Sequence, residues 1–369
     1  MATAKDIAAI EKIIVNPLER FAVGEKALAG IIGDGPSHYS KSPALWNAAF
    51  RELTMNAVYL PLDVGAAQVG ELLEVLRASD RFMGVNVTVP HKVRAIDFLD
   101  EIDGGAARIG AVNTIVKTAA GKLIGYNTDG EGFIESLLTA LPGEAQPFFR
   151  SLDGVSVLLL GAGGSARAVA FHLSDRLGPG KLIVANRTLE HAQALAEEIH
   201  KAGRQAVAID EAAIAQWAPE VALIVNCTTK GQGGIRRLAN GTATILEPYS
   251  SLAPANPPAL VAADDGNFEN SWRAAANADI DANNRASQSL AKAIPADTRF
   301  YDLIYHPEET EFLRHGRMTG HKTMNGKSMI VCQAVIAFCQ RICQRQLAHL
   351  GKNNAETFAQ VADVMYRAW

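Results

Sequence analysis

Two spacings of apolar residues take turns along this chain. Val85, Val87 and Val89 alternate with Asn86 and Thr88, a two-residue period that puts the valines on one face of a strand and the polar pair on the other. Pro90 has no N–H for a sheet ladder, so the strand over 86–89 ends there and delivers Lys92. Comparable short apolar runs predict strands over 28–32, 58–62, 109–116, 155–160 and 182–185, a strand and turn over 223–231, and a strand from 300 that stops at Pro307. Helical spacing predicts helices over 67–78, 93–103, 132–141, 308–314 and 355–367, an apolar one ending near Leu177, and a long one over 328–350 with Gln333 on its apolar face. Residues 1–28 predict a helix and a connector. Strands alternating with helices give an α/β protein.

One stretch breaks the pattern. Residues 232–298 are rich in Ala, Asn, Pro and Ser, with Asn256-Pro257-Pro258 and Asp264-Asp265-Gly266 as breakers and a helical part over 270–293. Long insertions in surface loops cost little, so a surface excursion is expected there.

Composition narrows the picture. A chain of 369 residues, 48% hydrophobic, can bury a large core and form two domains. A net charge of −4 gives no basic surface for nucleic acid, and no apolar run approaches membrane-spanning length. Lys5, Asp6, Glu11 and Lys12 interrupt the N-terminus, which therefore suits a polar extension and not a signal peptide. Four cysteines make no disulfide scaffold; Cys332, Cys339 and Cys343 fall on one helix face by spacing. Scattered histidines and the lack of Cys-x-x-Cys argue against a metal site. The reducing cytoplasm is the expected compartment, and a monomer or homodimer the expected assembly.

Candidate chemistry lies at strand ends. Gly161-Ala162-Gly163-Gly164-Ser165 follows the strand over 155–160 and opens a helix, a turn that lets a pyrophosphate approach a helix N-terminus. The next strand ends in Asn186-Arg187-Thr188, without the acid that a ribose 2′-hydroxyl usually meets; Arg187 can pair with a 2′-phosphate, which favours NADP over NAD. Ser42 is a good N-cap and Pro43 suits the first helical position; Ser42 then either simply caps that helix or joins Ser40 in holding an anion at its mouth. Buried Asn113 either ties backbone together or faces a ligand. Asp129 either caps the following helix or faces Lys92 as a proton-transfer pair.

Taken together, several stretches resemble the shikimate dehydrogenase family. They are Ser40-Lys41-Ser42-Pro43, Asn86-Val87-Thr88-Val89-Pro90-His91-Lys92, Gly110-Ala111-Val112-Asn113-Thr114, Asn127-Thr128-Asp129-Gly130, Gly161-Ala162-Gly163-Gly164, Asn186-Arg187-Thr188, Asp302-Leu303-Ile304-Tyr305, and Gly326 with Met329 and Gln333. The resemblance implies an α/β substrate-binding domain over 1–129, with an extension at 1–27. A Rossmann-type NADP domain over 130–325, carrying an insertion near 232–298, would follow, and helices over 326–369 would return to the first domain. It implies Lys92 and Asp129 as the catalytic pair and Ser40 and Ser42 on the substrate carboxylate. Thr88, Asn113, Tyr305 and Gln333 would bind ring hydroxyls, with Asn86 in support. Gly161, Ala162, Gly163, Gly164, Ser165, Asn186, Arg187, Thr188 and Thr228 would meet the cofactor, and Leu303 and Gly326 would flank its nicotinamide. The implied reaction is reversible NADPH-dependent reduction of 3-dehydroshikimate to shikimate, on the route to chorismate and the aromatic amino acids.

Three departures from the family pattern stand out: Tyr39 precedes Ser40 where His is usual, His191 replaces a second phosphate-binding arginine, and 232–298 is long. They bear on substrate and cofactor choice. A quinate dehydrogenase, NAD-dependent, is the alternative; a non-catalytic metabolite sensor would have little reason to keep Lys92, Asp129 and the glycine turn together.

Overall fold

The computed structural model describes residues 2–238, 240–261 and 267–369. The chain divides into two compact units, Met1–Phe148 with Met329–Trp369, and Phe149–Ser328. The first boundary falls later than the expected 129/130 because the helix that Asp129 opens packs within the first unit: a side chain at Gly132 would run into the backbone of Gln333.

The first unit opens with α1 (Ala2–Glu11), β1 (Ala27–Gly33), α2 (Pro36–Tyr39), α3 (Ser42–Glu52), β2 (Ala57–Asp63), α4 (Val69–Ala78) and β3 (Phe82–Val87). It continues through β4 (Glu101–Ile102), α5 (Gly104–Ile109), β5 (Thr114–Lys117), β6 (Leu123–Tyr126) and α6 (Asp129–Leu138). The strands form one mixed sheet in the order β2-β1-β3-β5-β6-β4, with β1 parallel to both neighbours and β5 antiparallel to both. Alternation along β1 builds two cores. Leu28 and Ile32 face α1 and α4 with Leu72, Leu76 and Val85, while Ala29 and Ile31 face Trp46, Phe50 and Phe338. A sheet covered on both faces needs near-continuous apolar strands, which is why β1 and β2 lack a polar face.

Two expectations fail here for local reasons. Residues 93–103 do not form one helix: a 3₁₀ turn at Arg94–Phe98 gives way to β4, and Asp103 then caps α5 by accepting from the Gly105 N–H at 2.9 Å. The strand expected from 109 begins only at Thr114, because Gly110, at φ +75°, closes α5 in the left-handed conformation.

The second unit contains β7 (Val157–Leu160), α7 (Gly164–Ser174), β8 (Leu182–Asn186), α8 (Leu189–Lys201), β9 (Val207–Asp210), α9 (Ile214–Trp217) and β10 (Leu223–Asn226). Then come β11 (Ile235–Arg237), β12 (Thr242–Ile245), β13 (Leu260–Val261), α10 (Phe268–Ala293), β14 (Arg299–Asp302), α11 (Glu311–Met318) and β15 (Thr323–Met324). Its main sheet is parallel throughout, ordered β15-β14-β10-β7-β8-β9. Strand order reverses between β7 and β10, the switch point at which open α/β sheets bind ligands.

The expected surface excursion is a correction. Strands β11 to β13 form their own antiparallel sheet, which shares a core of Ile245, Tyr249, Ala255 and Trp272 with α10. Farther along α10, Ala291 joins the core under the main sheet with Leu252, Ile294 and Phe300. A few well-spaced large residues anchor the segment, and its polar average composition hides them. The Asp264-Asp265-Gly266 breaker lies outside the described residues.

The C-terminal return is α12 (Lys327–Ile336), a π-helical turn at Ala337–Ile342, α13 (Gln344–His349) and α14 (Ala355–Arg367). The single helix expected over 328–350 is thus interrupted by the π turn, which presents Phe338 and Ile342 to the first unit's core.

Candidate functional site

In the first unit the site grows from the end of β3. The strand stops at Val87, so Thr88 and exposed Val89 lie in the turn, short of the expected strand end. The buried ring of His91 anchors that turn, its Nε2 lying 2.7 Å from the Val64 carbonyl. The Lys92 carbonyl accepts from the Val112 N–H at 2.8 Å, so the lysine backbone is fixed to the segment before β5.

Its side chain reaches Asp129: Lys92 Nζ lies 2.6 Å from Asp129 Oδ2. Asp129 is the first residue of α6, where a carboxylate faces the positive end of the helix dipole. Its other oxygen, Oδ1, accepts from Asn113 Nδ2 at 2.8 Å. Asn113 has no spare capacity. Its Nδ2 also donates to Thr128 Oγ1 (3.1 Å), while its Oδ1 accepts from the Thr128 N–H and the Thr114 hydroxyl, each at 2.9 Å. That uses both donors and both lone pairs of the amide. Gln333 Oε1 accepts from the Thr128 hydroxyl at 3.2 Å, which ties α12 to the same cluster.

A second polar chain leads toward the start of α3. Asn86 donates to the Asn113 carbonyl (3.2 Å) and to Thr114 Oγ1 (3.0 Å), and its Oδ1 accepts from the Tyr59 hydroxyl at 2.7 Å. Burial pushes the Tyr59 phenol well above its usual pKa, with the neighbouring Ser42 hydroxyl opposing the shift. Ser42 is not the N-cap it was expected to be. It is the first residue of α3, its N–H donates to Ser40 Oγ at 3.2 Å, and Pro43 follows it. Both hydroxyls therefore sit at a helix mouth. Thr88 packs its methyl group against Gly33, where a Cβ would come within 2.4 Å.

In the second unit, the turn after β7 carries the glycines. Gly161, at φ +107°, lies against the Cys227 backbone, 3.2 Å from where a Cβ would sit. A Cβ at Gly163 or Gly164 would meet nothing within 4 Å, so the N-terminus of α7 opens onto free space. The Ala162 N–H donates to Asn186 Oδ1 at 3.2 Å, locking the turn to the end of β8. These features fit a dinucleotide pyrophosphate.

A cavity of about 680 Å³ lies beside the turn, and Gly161 to Gly163, Asn186, Arg187, Thr188 and Thr228 are among the residues that line it. Gly164, Ser165, Leu303 and Gly326 do not line it. Gly326 is glycine for a packing reason: a Cβ there would fall 2.0 Å from the Leu303 carbonyl oxygen. Tyr305 belongs to this unit, and burial raises its phenol pKa. Buried Asp302 ends β14 and accepts from Asn226 Nδ2, the Ile304 N–H and the Thr310 hydroxyl; desolvation nevertheless pushes its pKa up to about 7.

Four residues were missed in the sequence. Tyr59 sits in an apolar run and looks like core. Thr128 is flanked by better-looking candidates. Lys230 and Glu211 pair at the cavity wall, although 19 residues separate them.

A parallel sheet with a glycine turn at its switch point, together with a lysine–carboxylate pair held by a buried amide, defines a nicotinamide-dinucleotide-dependent oxidoreductase. Residues 31–115 match the family described as shikimate dehydrogenase substrate binding domain, and residues 143–238 match shikimate / quinate 5-dehydrogenase. The shikimate dehydrogenase (NADP(+)) of Carboxydothermus hydrogenoformans is 35% identical over 315 residues, 85% of this chain and 91% of its own length. The chain belongs to the shikimate dehydrogenase family. Among solved structures, the Thermus thermophilus shikimate 5-dehydrogenase in complex with NADP(H) and shikimate is 28% identical, with a TM-score of 0.61 over 93% of this chain and 99% of that one. The quinate dehydrogenase of Corynebacterium glutamicum in complex with NAD is 27% identical, with a TM-score of 0.63 over the same shares.

Proposed function

We infer that this chain reversibly reduces 3-dehydroshikimate to shikimate with NADPH, a step in chorismate biosynthesis. The observation that carries the reading is the 2.6 Å contact between Lys92 and Asp129, held by Asn113. The bound NADPH supplies the hydride. Lys92 holds an ammonium proton beside the ring oxygen that becomes an alkoxide, and Asp129 keeps that ammonium in place. A positive charge there stabilises what exists only in the transition state, so it acts on turnover more than on binding.

Ser40 and Ser42, at the mouth of α3, receive the substrate carboxylate. Thr88 and Gln333 take ring hydroxyls. Asn113 and Asn86 act from behind: their hydrogen bonds orient Asp129 and connect it to Tyr59. Gly161, Ala162, Gly163, Gly164 and Ser165 receive the pyrophosphate, while Asn186, Arg187, Thr188 and Thr228 receive the adenosine end. Leu303 and Gly326 flank the nicotinamide. In this reading the unit Met1–Phe148 with Met329–Trp369 binds substrate and Phe149–Ser328 binds cofactor. The enzyme works in the cytoplasm as a monomer or homodimer. Among the described residues no helix is long and apolar enough to cross a membrane.

The likeness to a quinate dehydrogenase keeps quinate with NAD as a second reading. Steady-state rates with shikimate and quinate, each with NADP and NAD, separate the two. Shikimate with NADP is expected to give the highest kcat/KM; a quinate and NAD optimum would replace the first reading with the second.

A further inference from the structure

Part of the cavity lining comes from the segment that sequence composition marked as an excursion. Arg236 of β11 and Thr244 of β12 are cross-strand partners, and both line the same cavity as Arg187. Directly paired residues on neighbouring strands share a face, so the register itself turns Arg236 toward the pocket. The scaffold beneath is packed. Thr244 donates to the Pro258 carbonyl at 2.8 Å, and Trp272 Nε1 donates to the same oxygen at 2.8 Å from within the segment's own core.

The charges lining this cavity do not balance. Glu211 is its carboxylate, and Lys230 already pairs with it. Arg187 and Arg236 remain, and among the described residues neither makes an ion pair. One Nη of Arg236 donates to Thr229 Oγ1 at 2.6 Å, which aims the guanidinium and leaves its other N–H groups free. Two guanidinium groups in one concave site, with no compensating acid, suit a phosphate dianion.

We propose that Arg236 is a cofactor-specificity residue: with Arg187 it clamps the 2′-phosphate of NADP, so that the 232–298 segment forms the adenosine subsite. This rests on the NADP reading above and on no assumption about the second substrate. His191 also lines the cavity. An imidazole offers at most two donors and no fork, so the second bidentate group must come from elsewhere, and β11 supplies it.

Calorimetric titration of the full chain with adenosine 2′,5′-bisphosphate and with 5′-AMP tests the proposal, because the two fragments differ only by the 2′-phosphate. Arg236→Ala should weaken the bisphosphate about 10- to 100-fold, the span of a hydrogen bond to a charged group, and leave 5′-AMP within about 2-fold. Arg236→Lys should recover part of the loss, while Arg237→Ala, one residue along β11 and outside the cavity lining, should change neither fragment. Equal weakening of both fragments, or of neither, overturns the assignment. Arg236→Gln keeps most of the side-chain volume and settles the matter if the alanine variant does not fold. Failure of the shikimate assay with intact discrimination between fragments would sink the substrate reading and leave this one standing.

Discussion

Lys92 is exposed enough to meet a ligand and fixed enough to meet it in one place. Its carboxylate partner is oriented by an amide whose four hydrogen-bonding positions are all filled inside the protein. Lys92→Ala should therefore lower kcat by about 10²–10⁴-fold, the usual worth of a positioned proton donor, with little change in shikimate affinity by equilibrium titration. A matching loss in affinity would make the lysine an anchor for substrate. The Lys92–Asp129 pair was legible through the family resemblance, since the residues alone left Lys92 as a solvated lysine and Asp129 as a helix cap equally open. The supporting residues were not. Tyr59 and Thr128 act through contacts between distant segments, and nothing in their neighbours along the chain distinguishes them from core and cap.

At the scale of elements, the expected helices over 270–293 and 308–314 form as α10 and α11, and a buried polar contact joins them. The buried His315 of α11 lies 2.8 Å from the Ser287 hydroxyl of α10, which in turn donates to Ser250 at 2.7 Å. Burial, with Arg314 adding to it, pushes His315 down to about 4. Below an unfolded-state value of about 6.5 the unfolded chain takes up a proton that the folded one refuses, so this group's contribution is lost as pH falls toward 4. Asp302, pushed up to about 7, runs the other way: folded protein holds its proton where unfolded chain has released it, so its contribution fades as pH rises from about 4 to 7. His315→Gln should thus make the protein more stable at pH 4.5 relative to pH 7.5 than the parent, and Asp302→Asn less. Urea midpoints at the two pH values check both signs. Composition hid the anchors of the 232–298 segment, since it averages Trp272 and Tyr249 together with a solvated helix face.

At the scale of the molecule, the first unit is discontinuous in sequence. Phe338 and Ile342 complete the core around Trp46 and Phe50, with the Trp46 and Phe338 rings 5.1 Å apart. Deleting 329–369 would strip those partners and uncover large aromatic surface, so the shortened chain should lose the first unit while the second keeps its protected amides. Hydrogen exchange reads both outcomes in one sample, and protection retained over β1 to β3 would contradict the description. The alternation of strand and helix gave the α/β class, and the family resemblance gave the return of the C-terminus. The position of the boundary was out of reach, because it depends on which partner α6 packs against, and Gly132 shows that only once the backbone of Gln333 lies upon it.

That interrupted connectivity has a consequence for synthesis. A ribosome synthesises the whole of Phe149–Ser328 before it makes the residues that finish the earlier half. The second unit can therefore become protease-resistant on an arrested nascent chain while the half translated first still waits, its aromatic face open to chaperones, for the last helices to emerge.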